Sequence, residues 1–112
     1  MTDIDNLLSG HGHSLVGCGV NGYAFNAVAA EQLLKLLDLA GTTVFGGDVY
    51  EKVGDKYNLT PDNWYCTKLD SESPNEFAKR SIDEAISYVA RYQNEAALFC
   101  FTTDRNLRPE AG

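Results

Sequence analysis

The stretch from Ser73 to Thr103 constrains the fold more tightly than any other part of this chain. Ser73 is suited to cap a helix, Pro74 to occupy its first turn, and Glu76 to close a capping box. From there Ala78, Ile82, Ala85, Ile86, Val89 and Tyr92 recur with helical period, which leaves one apolar face in need of a partner. The partner follows at once. "AALFCFTT", residues 96–103, is a continuous apolar run, and such a run suits a strand covered on both faces at the centre of a sheet. A helix with one apolar face beside such a strand predicts a helix layer packed on a sheet layer.

The rest of the chain supplies matching pieces. Thr2 and Asp5 can cap a short first helix that Gly10 stops. "HGHSLVGCGVNGYAFN", residues 11–26, contains four glycines and reads as an ordered loop or a short extended piece. Asn26 then caps a helix from Ala27 to about Ala40, with Ala30, Leu33, Leu34 and Leu37 on one face, a Glu31–Lys35 pair on its surface and Gly41 at its end. A strand is expected from Thr43 to Lys52, a turn at Gly54-Asp55, and a return arm that pauses at "TPDN" and resumes over Trp64 to Leu69. With 112 residues there is length for one modest core. The expected fold is α+β: one two-layer domain over residues 1–112, with a small antiparallel or mixed sheet of three to four strands packed against two longer helices. The tail 104–112 is expected to be flexible.

One strand carries a puzzle. In "TVFGGDVYEKVG", residues 43–54, Gly46, Gly47 and Asp48 interrupt the strand formers. Glycines weaken a strand interior, and an acid is costly to bury. A β-bulge or a close backbone approach accounts for the glycines. Asp48 is then expected to accept hydrogen bonds from nearby backbone or from Arg80-Ser81, a structural role.

Charge narrows the partners. The net charge is -7, and residues 1–72 hold ten of the sixteen acids but only four of the nine bases. Nucleic acid and anionic membranes are poor partners for such a chain, and a basic protein is a good one. No run approaches the length of a bilayer span and no basic leader with an apolar core opens the chain, so the expected compartment is the cytoplasm. Cys18, Cys66 and Cys100 are odd in number and widely spaced, as expected of free thiols. Tyr50, Tyr57, Trp64 and Tyr65 share the hairpin with Asp48, Glu51, Asp55, Asp62, Asp70 and Glu72. Core filling accounts for any one of these aromatics, but aromatics ringed by acids also suit a surface for a basic partner.

Catalytic readings are thinner. Cys18 lies near His11 and His13, yet a nucleophilic thiol needs a base and an orienting third group, and no signature marks them. His11, His13 and Asp48 make an incomplete ligand set, so no metal is expected. Gly17, Gly19 and Gly22 match the spacing of a dinucleotide fingerprint, but no clear strand precedes them and no βαβ unit follows, so no cofactor is expected. A small enzyme or ligand-binding domain using the 11–22 loop with Cys18 and His13 is the alternative to a binding module.

Several short motifs in order, "GGDVY" (46–50), "NWY" (63–65), Phe77, "RS" (80–81) and "YVARY" (88–92), preceded by "SLVGCGVNGYAF" (14–25), resemble the immunity protein 40 family. The likeness covers roughly residues 14–101. It implies an antitoxin of a bacterial polymorphic toxin system, without catalysis of its own. Such a protein binds one cognate toxin domain one-to-one and blocks its active site. On that reading the toxin-binding residues are expected among Tyr50, Glu51, Asp55, Asp62, Trp64, Tyr65, Asp70 and Glu72, with Gly46, Gly47, Asp48, Arg80 and Ser81 as a structural motif.

Overall fold

A computed structural model describes residues 2–92, 94–105 and 107. Helix α1 spans Asp3–His11, and Thr2 and Asp5 form its capping box. A two-residue strand β1 (His13–Ser14) and its antiparallel partner β2 (Tyr23–Ala24) bracket the glycine-rich loop. Helix α2 (Ala27–Leu39) starts where the Asn26 side chain accepts from the Ala29 N–H, and buries Ala29, Ala30, Leu33, Leu34 and Leu37. Strands β3 (Val44–Val53) and β4 (Lys56–Tyr65) form a hairpin turned at Gly54, whose φ is +62°. Helix α3 (Pro74–Arg91) carries the Ser73–Glu76 capping box, and strand β5 (Ala97–Thr103) closes the fold. The result is α+β, with three helices and two small antiparallel sheets.

The main sheet has the order β4-β3-β5. The apolar run of β5 therefore lies at one side of the sheet and not at its centre, which β3 occupies. Its apolar character reports cover on both faces. Phe99 and Phe101 join the core under α2 and α3, while Leu98 joins a smaller cluster with Leu15, Ala24 and Tyr50 beneath the glycine-rich loop. Phe25 also exchanges two backbone hydrogen bonds with Phe99, at 2.9 and 2.7 Å, tying the loop to the outer edge of β5. The second arm of the hairpin is one strand where a pause was expected. Thr60, Pro61 and Asp62 form an irregularity inside it, and the Thr60 hydroxyl holds the place by donating to Val49 O at 2.8 Å. No strand runs from Cys66 to Leu69.

Gly46 and Gly47 serve different needs. The β3–β5 register shifts between Val44 and Gly46, and Gly46 has φ +153°, where side-chain-bearing residues are strained. At Gly47 an added Cβ would fall 2.5 Å from the Trp64 ring and 2.5 Å from Cys100 O. The absent side chain is the space in which the indole lies, stacked on Tyr88 at 4.3 Å and edge-on to Phe101. Of the tail, Asp104 is pinned to Thr43 by a backbone bond and by its carboxylate, and Leu107 packs against the core. The expectation of a flexible tail otherwise falls on residues 106 and 108–112, outside the described residues.

Candidate functional site

Cross-strand register sorts the hairpin side chains by face. Gly47, Trp64, Phe101, Val49 and Phe99 belong to the helix-covered face. Tyr65, Asn63, Asp48, Cys100, Tyr50 and Thr102 belong to the opposite, outer face. The glycine-rich loop covers only one end of that outer face. Leu15 is fully buried there, and its N–H donates to Gly22 O in a 2.9 Å bond that closes the loop. Past the loop the sheet is open, and a cleft of about 540 Å³ lies between Val20–Tyr23 and Thr102–Arg105, with Asp48, Tyr50 and Cys100 lining it. A shallower hollow of about 280 Å³ continues it along Gly46, Asn63 and Tyr65.

The residues expected to meet a partner divide accordingly. Tyr65 is 83% exposed, and Leu59, farther along β4, is 62% exposed. Tyr50 is only 5% exposed, because the loop lies over it, and Trp64 is packed beneath Tyr88 on the other face, so neither ring is a free anchor. Glu51 is half-buried, and exposed Asp55 lies at the turn between Lys52 and Lys56, so the hairpin tip is not a purely acidic surface. The Asp62 carboxylate accepts from the Tyr92 hydroxyl at 2.6 Å. Asp70 is exposed.

Glu72 is no rim acid. Its side chain is 12% exposed and takes a two-pronged bond from Arg80, Nε at 2.6 Å and Nη2 at 2.8 Å, plus the Leu69 N–H at 2.9 Å. Those bonds, Arg80 first, hold its carboxyl down at about 2. The expected link from Arg80-Ser81 to Asp48 is also replaced. Arg80 serves Glu72, Glu84 and Thr67 O, while the Ser81 hydroxyl accepts from the Val44 N–H at 2.9 Å and donates to Ala78 O at 2.7 Å. The Asp48 carboxylate makes no hydrogen bond or ion pair among the described residues. The reason is register: the side chain of Asp48 shares its face with Asn63 and Cys100, whereas α3 packs on the opposite face.

These positions carry a family assignment. The family model of immunity protein 40 matches residues 14–103, from the glycine-rich loop to the end of β5.

The chain belongs to the immunity protein 40 family.

No curated protein and no solved structure matches it. The matched span of this immunity protein excludes α1 and includes both faces of the sheet. The residues of the catalytic alternative are built into the loop's own packing. His13 Nδ1 shares a 3.0 Å hydrogen bond with the Tyr57 hydroxyl, and the Cys18 thiol donates to Tyr57 O at 3.4 Å. Burial, with the charge of Asp48 adding to it, pushes the Cys100 thiol up to about 11, which keeps it protonated at neutral pH. Among the described residues no group of three acids, histidines or cysteines could hold a metal ion. The glycines at 17, 19 and 22 do not open an α-helix: Gly17 lies in a single 3-10 turn, β2 intervenes, and α2 takes its cap from Asn26. Residue patterns alone did not show that Asp48 and Tyr65 share an open face. Alternation along β3 and β4 was the available signal, and the irregularity at residues 60–62 hides it.

Proposed function

We propose that this immunity protein binds a cognate bacterial toxin domain one-to-one through the outer face of its sheet and covers the toxin's active site, with no catalysis of its own. The observation that carries the reading is Tyr65. An 83% exposed tyrosine on an ordered strand, next to an open cleft, is a favoured anchor for an interface. Family membership supports the toxin as partner. The charge of -7 supports a basic toxin, because opposite potentials speed encounter. The negative field of the exposed acids is equally unfavourable for nucleic acid or an anionic membrane. Among the described residues no helix is long and apolar enough to cross a membrane.

The test is coexpression and reconstitution with the toxin domain encoded beside this chain. Growth should be restored by coexpression, and light scattering should give a 1:1 complex. Tyr65→Ala should raise the dissociation rate and leave the melting temperature unchanged. A chain that protects cells without forming a complex overturns the reading, and so does a Tyr65→Ala variant that dissociates like wild type.

A further inference from the structure

The cleft on the outer face contains an acid that the fold does not use. Asp48 is half-buried, and among the described residues its carboxylate has no hydrogen bond and no ion pair. Shielding a carboxylate without a partner opposes folding. The one other acid lining the cleft among the described residues is occupied. Asp104 Oδ1 takes the Thr43 N–H at 3.0 Å, and the Thr103 hydroxyl that faces the same rim donates to Arg105 O. Arg105 is the one cation lining the cleft among the described residues, and no bond joins it to Asp48. Around Asp48 lie the Tyr50 ring and the half-buried Cys100 thiol, groups that can pack the aliphatic part of a long side chain. Asn63, opposite Asp48 in register, offers an amide carbonyl beside the carboxylate.

The geometry points to a specific use of this cleft: it receives one arginine side chain of the toxin, with Asp48 as counterion. This rests on the toxin-binding reading above. Arginine suits the site better than lysine, because a planar guanidinium can bond a carboxylate in two-pronged fashion and still reach a second acceptor such as Asn63. The cleft, at about 540 Å³, has ample room for such a side chain. Selectivity follows, since a partner that covers Asp48 without bringing a cation strips its water and leaves the charge unpaired.

Two measurements separate this inference from the reading beneath it. The first is affinity for the toxin domain. Asp48→Asn and Thr102→Arg, the second placing a cation at the exposed mouth, should each weaken binding by roughly 30-fold or more without lowering the melting temperature. The second uses the protein alone, titrated with N-acetyl-arginine amide and followed by the amide resonances of Gly22, Asp48 and Cys100. A saturable shift is expected there, lost in Asp48→Asn and absent with N-acetyl-norleucine amide. Toxin affinities within about threefold of wild type for both variants overturn the cleft assignment while leaving toxin binding intact. So does an arginine shift that Asp48→Asn does not change. If wild type forms no complex with the toxin, the toxin reading fails, and the arginine titration alone decides what the cleft holds.

Discussion

At the scale of single residues, two glycines and one ion pair do the most. Gly46→Ala places a Cβ 2.1 Å from Trp64 O at a φ that alanine resists, and Gly47→Ala drives one into the Trp64 ring. Each should cost ~1–3 kcal/mol or more, read as a lower urea midpoint. Glu72 makes a pH prediction. Its carboxyl sits at about 2 in the folded protein against 4.5 ordinarily, so the unfolded chain takes up the proton first. The stabilisation from its bonds to Arg80 is therefore complete above about pH 4.5 and lost as pH falls through about 2. Urea midpoints of wild type should decline across that window more steeply than those of Glu72→Gln. Parallel curves would remove Glu72 from the account of acid stability. Charge reversal at Glu72 belongs with the same prediction: it should lower the melting temperature, because a lysine would face Arg80.

Between elements, the junction of α3 with β3 depends on Ser81. Its hydroxyl, fully buried, joins the Val44 N–H at the start of β3 to the Ala78 carbonyl in α3. Ser81→Ala leaves the Val44 N–H buried without an acceptor and should cost about 1–3 kcal/mol. Amide exchange at Val44 is the direct readout. Protection there equal to wild type would mean that another acceptor has replaced the serine. Trp64 does a comparable job between β4 and α3 through ring contacts alone, since its indole N–H has no acceptor among the described residues. Trp64→Ala should cost ~3–5 kcal/mol, far more than Tyr65→Ala one residue on.

For the molecule as a whole, the sheet is asymmetric. Helices seal one face, and a glycine-rich loop seals only part of the other. Partner encounter and partner retention should separate on that surface. Asp55→Lys and Asp70→Lys, both exposed, should slow association with the toxin and flatten its salt dependence without changing stability. Surface plasmon resonance at low and high salt checks this. An association rate indifferent to both charges and salt would place the contact away from the acidic surface.

Helix starts, the hairpin turn and the strand run of residues 97–103 could be read from local chemistry, because a cap, a turn glycine or an apolar run acts within a few residues. The α+β class followed from the order of those pieces, and the family from short motifs spaced along the chain. Tertiary structure alone decided the rest. Which strand is central depends on pairing beyond the hairpin: Gly47 meets Trp64 within it and also Phe101, some fifty residues on. The site depends on it too. Adjacent Trp64 and Tyr65 look equally suited to an interface in sequence, but a pleated strand turns one into the core and the other to solvent. Glu72 and Asp48 look like similar acids. One meets Arg80 because the loop after β4 passes α3, and the other is left facing an open cleft because it sits on the side of β3 that the helices never reach.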